Sequence, residues 1–296
     1  MDNFSISELQ QFSGIKAHTI RMWEQRYGAL KPNRSEGNTR YYKGDQLRRL
    51  LNIVSLLNTN YKVSELCAMS DGKLRGLLEE QLSKSIAADS AYDYFISQLI
   101  AAAMEFDEVS FNKFYSNCIL RFGIKNTYVE VVNPTLIRLG LLWAKDALPP
   151  AQEHFISNLF RQKFLAATEE LPISESSSET WMLFLPEDEF HEAGLLFANF
   201  LLRKAGKKVI YLGANVPYDS LTTAIKEIKP THLLFFLVRK YDSTDDQALL
   251  SDLVKASAGS KVFVACEPNR LEVKPKKIKT LHSVQDLEDE IHTHLL

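Results

Sequence analysis

Four short, uninterrupted apolar runs limit what the C-terminal part of this chain can become. They are Trp181–Leu185, Val209–Leu212, Leu233–Val238 and Val262–Cys266. Amphipathic segments follow them at about Ala193–Ala205 (stopped by Gly206), Pro217–Ile228, Asp245–Ser257 and Val284–His294. Strands apolar on both faces, alternating with helices, predict a parallel sheet covered on both sides, the Rossmann-like or flavodoxin-like class. The pattern begins after Ser174-Glu-Ser-Ser-Ser178, a polar run that reads as a linker.

Upstream of that run the period changes. From about 86 to 172 apolar residues recur at spacings of three and four: Phe95, Leu99 and Ala102; Phe111, Phe114 and Cys118; Phe155, Leu159, Phe160 and Phe164. Several such helices in succession predict a bundle. Residues 1–75 hold two short helical patterns around Ser13-Gly14, a turn-rich stretch with Gly28, Pro32 and Gly37, and a longer helix from Asp45. The expected architecture is therefore multidomain: a small α head (1–75), a four-helix bundle (86–173) and an α/β domain (179–296). The length of 296 residues suits more than one domain, and a 45% hydrophobic, 24% charged composition argues against disorder or a disulfide scaffold.

Net charge is −2, but it is unevenly distributed. Residues 1–75 carry 12 basic and 7 acidic side chains, whereas the remainder carries 23 and 30. A basic head on an acidic body points to one nucleic-acid-binding domain. Cys67, Cys118 and Cys266 are odd in number and widely spaced, which suits buried thiols in a reducing compartment. No apolar leader follows Met1, and no apolar run approaches the roughly 20 residues of a membrane span. The expectation is a cytoplasmic protein without membrane attachment.

Within the head, Ser5 and Glu8 form a capping box opening the first helix. The second helix should turn Ile20, Trp23 and Tyr27 inward and His18, Thr19 and Arg21 outward near its N-terminus, where a recognition helix meets base edges. The stretch Arg34-Ser-Glu-Gly37-Asn-Thr-Arg40-Tyr41-Tyr42 reads as a hairpin wing with phosphate-binding arginines. The segment SISELQQFSGIKAHTIRMWEQRYGALKPNRSEGNTRYY resembles the winged helix-turn-helix of the MerR family of transcription factors. That resemblance implies base contacts from His18, Thr19 and Arg21 and phosphate contacts from Lys31, Arg34, Arg40 and Tyr42. It further implies a homodimer or higher oligomer on double-stranded DNA carrying an inverted repeat. The cysteine-bearing metal loop of the metal-sensing members is missing, so no metal-sensing role is assigned.

Two clusters stand out in the body: Trp143 followed after nine residues by Glu153-His154, and Glu189-Phe190-His191-Glu192-Ala193-Gly194 directly after the first strand. Ligands of open α/β sheets bind at the carboxyl ends of strands, where His191 belongs. A loop histidine can ligate a metal through one ring nitrogen while a carboxylate such as Glu189 fixes the other. Taken singly, these residues read more often as core tryptophan, surface cap and solvated histidine than as ligands.

Together with the YLGANVP segment they resemble the cobalamin-binding module of methionine-synthase-type proteins. Behind a MerR-type head, that module resembles the light-responsive, cobalamin-dependent repressors. The resemblance implies adenosyl- or methylcobalamin as cofactor, His191 as axial cobalt ligand with Glu189 and Gly194 beside it, and Trp143, Glu153 and His154 against the upper ligand. Three positions depart from the family. Glu189 replaces aspartate, Phe236-Leu237-Val238 stand where the family has Ser-x-Thr or Ser-x-Leu, and Ala265-Cys266 replace Gly-Gly. The last two line the slot for the nucleotide tail, and a phenylalanine there should fill it. The function expected is a DNA-binding regulator, a repressor, sensing a cobalamin-type ligand or light. A cofactor-free module used for oligomerisation or for binding a partner protein stays open. A corrinoid-dependent methyltransferase or mutase subunit lacks a catalytic barrel and other catalytic motifs, so the chain is not expected to be an enzyme.

Overall fold

The computed structural model describes residues 3–35, 38–57, 61–83, 88–143, 150–174, 178–238, 243–257, 259–268, 270–271 and 277–292. The chain divides into two compact units, Met1–Leu159 and Phe160–Leu296. Parts of two expected features, Gly37 of the wing and Glu175–Ser177 of the serine run, lie outside the described residues.

The first unit begins with β1 (Asn3–Phe4), α1 (Ile6–Ser13) and α2 (Ala17–Tyr27). Ser5 caps α1 through the expected box: its hydroxyl accepts the Glu8 amide, and the Glu8 carboxylate accepts the Ser5 amide. Gly14 and Gly28 end α1 and α2 in the left-handed conformation, at φ 73° and 62°, where a side chain would be strained. The wing is a hairpin of β2 (Asn33–Arg34) and β3 (Arg40–Lys43), with Arg34 opposite Arg40. On its other edge β3 pairs with β1, a two-residue strand too short to leave a periodic signal.

Helices α3 (Gly44–Ser55), α4 (Val63–Ala68) and α5 (Asp71–Ser83) complete the head. Arg49 of α3 ties these pieces together. Its Nε donates to the Ala29 carbonyl at 2.7 Å and its Nη2 to those of Cys67 and Met69 at 2.7 and 2.9 Å, while Nη1 meets Asp71 at 2.5 Å.

The helical stretch contains α6 (Ala88–Glu105), α7 (Glu108–Thr127), a π turn (Tyr128–Val132), α8 (Asn133–Trp143) and α9 (Pro150–Glu169). Pro150 opens α9, where a missing amide costs nothing. The expected face residues Phe95, Leu99, Ala102, Phe111, Phe114, Cys118, Leu159, Phe160 and Phe164 are all buried, with Phe155 half-buried against Phe106. The head packs directly on these helices: α3 lies on α6, where buried Gln98 donates to Ser55 at 3.0 Å, and α1 lies on α8.

In the second unit, β4 (Thr180–Pro186), β5 (Lys208–Val216), β6 (His232–Leu237), β7 (Lys261–Cys266) and β8 (Ile278–Leu281) form one parallel sheet in the order β5-β4-β6-β7-β8. Helices α10 (Ala193–Lys204), α11 (Tyr218–Ile228), α12 (Ser243–Ala256) and α13 (Val284–His292) connect and cover it. Met182, Phe184, Leu233, Phe235, Val262 and Val264 pack on Leu221, Ile225, Leu250 and Leu253 on one face. Helices α10 and α13 pack together, with α10 against β4, β5 and β6. The fold is thus the expected sequence of winged helix-turn-helix, helical region and Rossmann-like domain, with β8 as an unanticipated edge strand. No helix among the described residues is long and apolar enough to cross a membrane.

Candidate functional site

On α2, Ile20 and Trp23 are buried, which turns the opposite face outward. His18 and Arg21 are exposed and Thr19 is partly so, its hydroxyl 3.2 Å from His18 Nε2. Arg26 is exposed at the far end of the same helix. Tyr27, expected inside, is 37% exposed, because the left-handed turn at Gly28 leaves it on the last turn without a covering element.

The wing arginines differ. Arg34 is exposed and donates to the Asn38 side chain across the turn, whereas Arg40 is half-buried with its Nε 3.3 Å from Glu24. Lys31 is exposed, and its amide is held by Gln46 at 2.6 Å. Tyr42, read from sequence as a phosphate contact, is fully buried instead. Its hydroxyl donates to Glu24 at 2.7 Å, and burial followed by Glu24 raises its pKa far above the phenol range. Glu24 of α2 therefore grips β3 through both Tyr42 and Arg40. The wing is held at a fixed angle to the helix, and Tyr42 does positioning work from inside.

The second cluster sits at the carboxyl end of β4. Here the chain leaves for β5 on one side and returns to β6 on the other, so β4 and β6 flank the point where the strand order reverses. This is the crevice that open α/β sheets use for ligands. Glu189 in the connecting loop is completely buried, and its carboxylate is satisfied. Oε1 accepts the amides of Phe190 and His191 at 3.0 and 3.1 Å and meets His191 Nδ1 at 2.6 Å, while Oε2 accepts the Val238 amide at 3.0 Å. A buried carboxylate is tolerable only when so many donors replace its water. The Glu189 carbonyl also accepts the Asn215 amide at 3.1 Å, and the Asn215 side chain accepts the Asp188 amide at 2.9 Å. The loop after β4 is thus tied to the end of β6 through the Glu189 carboxylate and to β5 through the Glu189 carbonyl and the Asn215 side chain.

The His191 side chain is 50% exposed. Glu189 on Nδ1 sets the ring's orientation and makes Nε2 the nitrogen suited to a metal. One nitrogen is one ligand, so a metal held here must bring the rest of its coordination sphere with it. Phe190 and Val238, 62% and 49% exposed, provide apolar surface in the same loops. The next residue, Glu192, accepts from Arg161 Nε of α9 at 3.0 Å and from the Tyr211 hydroxyl of β5 at 2.9 Å. Burial, then Glu192, raises the Tyr211 pKa.

Gly194, in the first turn of α10, faces the ring of Phe236, and a Cβ there would lie 2.6 Å from Cε1 and 2.8 Å from Cδ1. The structure thus brings His191, Glu189 and Gly194 into one loop. It also adds Val238, Asn215 and Phe236, which lie 21 to 49 residues from the motif. In the helical region, Glu153 pairs with His154 Nδ1 at 3.3 Å and His154 is exposed, while the Trp143 side chain lies outside what is described.

The donor set would suit the cobalt of a corrin, with His191 supplying the one protein nitrogen and Glu189 orienting it. The gap between α10 and β6 does not fit a nucleotide tail, because the Phe236 ring is already against the Gly194 backbone.

Residues 4–72 match the family described as MerR HTH family regulatory protein, and residues 95–167 match the B12 binding domain. The chain is 26% identical over 255 residues to the HTH-type transcriptional repressor CarH of Myxococcus xanthus, covering 86% of this chain and 85% of the relative. It is equally 26% identical over 261 residues to the HTH-type transcriptional repressor CarA of the same organism, covering 88% and 85%. Both relatives are named as repressors rather than enzymes. The monomethylamine corrinoid protein of Methanosarcina barkeri superposes with a TM-score of 0.52 at 12% identity, covering 67% of this chain and 98% of that one, which is a likeness of fold.

Proposed function

We propose that this chain is a sequence-specific DNA-binding transcriptional regulator, a repressor and not an enzyme, whose C-terminal module senses a cobalamin-type ligand or light. The observation that carries this reading is the pairing of two devices in one chain. One is an outward basic helix with its wing locked on by Glu24; the other is a histidine oriented by a buried glutamate at the sheet's ligand crevice.

In this reading residues 1–75 read DNA, with His18, Thr19 and Arg21 at base edges and Lys31, Arg34 and Arg40 at phosphates. Residues 86–173 and 179–296 form the receiver. His191, with Glu189 and Gly194 beside it, would hold the cobalt of a corrinoid, and Trp143, Glu153 and His154 would lie against the group on its other side. Two or more copies grip an inverted repeat, whose symmetry mirrors that of the protein. A bound alkylcorrinoid supplies a light-labile bond to carbon. The chain's own part is to hold His191 through Glu189 and to couple that loop, through Glu192, to Arg161 on α9. A ligand that prefers one arrangement of this loop shifts the population towards it.

The test is retention of colour. Full-length protein incubated in the dark with adenosylcobalamin or adenosylcobinamide and then desalted should keep corrinoid absorbance with at least one of them, and His191→Ala should lose or shift it. Protein colourless after both supports the second reading, a cofactor-free module used for oligomerisation or for binding a partner protein. That reading is favoured by one observation, the Phe236 ring seated on Gly194.

A further inference from the structure

The contact between Phe236 and Gly194 bears on which corrinoid the site takes. Gly194 has an ordinary backbone conformation, so its glycine is needed for closeness, not for a turn. The closeness is used by the chain itself: the ring of Phe236 lies where any Cβ would be. Phe236 is half-buried near the end of β6, between Phe235 and Leu237, both of which are buried in the core on the α11–α12 side. Strand alternation therefore sends Phe236 to the opposite face, towards α10. Its register partner on β7 is Ala265, and Leu237 pairs with Cys266, so side chains line that edge where glycine would expose backbone. The aromatic ring closes the space between the first turn of α10 and the ends of β6 and β7. The His191 side of the crevice stays half-exposed, flanked by Phe190 and Val238.

We propose that Phe236 is a built-in plug that makes this site selective for corrinoids lacking the nucleotide tail, the cobinamide type, over complete cobalamin. This rests on the reading of His191 as cobalt ligand. In complete cobalamin a benzimidazole on the tail occupies the lower face of cobalt. For His191 Nε2 to take that position the benzimidazole nitrogen must leave, with no change in cobalt oxidation state, and the freed tail needs room. Phe236 occupies the room. A corrinoid without the tail offers the same macrocycle and an exchangeable lower ligand, and needs no space beside Gly194.

The experiment is a dark absorbance titration of the full-length chain with aquacobinamide and with aquacobalamin. The wild type should bind aquacobinamide about tenfold tighter or more, the penalty on cobalamin being that of turning a large apolar ring out of its seat. Phe236→Ser should tighten aquacobalamin and narrow the gap, with Phe236→Leu giving the same direction if the serine variant folds poorly. His191→Ala should abolish the spectral shift of aquacobinamide. Equal or tighter binding of aquacobalamin by the wild type overturns the plug while leaving the corrinoid reading intact. Failure of the wild type and of both Phe236 variants to bind either compound overturns the corrinoid reading itself. An unaltered preference for cobinamide in both Phe236 variants also overturns the plug.

Discussion

The DNA-reading head and the His191 loop solve the same problem, holding a functional side chain at the surface, in opposite ways. In the head, His18 and Arg21 stand exposed on a helix whose inner face is locked by Ile20 and Trp23. Short-range devices define its elements: a capping box at Ser5 and Glu8, glycine stops at 14 and 28, and a β-hairpin. In the receiver, His191 stands on a loop whose position depends on one buried carboxylate reaching strands far apart in the chain. The first arrangement tolerates loss of a functional side chain without structural cost. The second does not, because Glu189 is both orienter and brace.

The sharpest break should come at that brace. Glu189→Ala leaves the Phe190, His191 and Val238 amides without their acceptor, and should cost about 3 kcal/mol or more in urea unfolding. A loss below about 1 kcal/mol would mean the loop is held by something else. Arg49→Ala is the nearest equivalent in the head, since it strips charge-assisted bonds from three carbonyls. It should cost about 2–3 kcal/mol and leave the His191 loop untouched. Arg21→Ala should leave the melting curve in place yet lose about 1–3 kcal/mol of discrimination between specific and random duplexes. Arg34→Ala should weaken all duplexes alike and reduce the salt slope by about 0.9.

The smallest expected effect blurs the contrast usefully. Asp286 in the receiver is a local cap like those of the head, accepting the His282 and Ser283 amides at 2.7 and 3.0 Å. The His282 amide first, helped by Ser283, holds its carboxyl below the usual range. A depressed folded pKa contributes stability that is complete above the unfolded value, near pH 4, and is lost as pH falls through the folded one. Asp286→Asn should therefore lose that small contribution at neutral pH, match the wild type at acid pH and so remove the acid limb.

This division also explains what could be read in advance. Features written within about ten residues were legible: the Ser5–Glu8 box, the wing, the four strand–helix alternations, and Glu189 beside His191. Features made by distant partners were not. Tyr42 reads as a phosphate contact from its place in the wing, since its partner Glu24 lies on another element, and burial decides its role. Val238 carries no chemical signature of its own because it contributes only its backbone amide. β8, Ile278–Leu281, has only two apolar residues and lies at the sheet edge, so its pattern is too short to stand out. Phe236 was legible as a departure, and its contact with Gly194 supplied the geometry.

The central claim is that reader and receiver act as one switch. The most direct measurement is the affinity of the full-length chain, mixed with an adenosylcorrinoid, for duplexes selected from a random pool, taken in the dark and again after illumination. The expected result is enrichment of an inverted repeat and an affinity for it that changes on illumination, with the change absent in His191→Ala. An affinity that ignores sequence, or one that ignores both corrinoid and light, would contradict it.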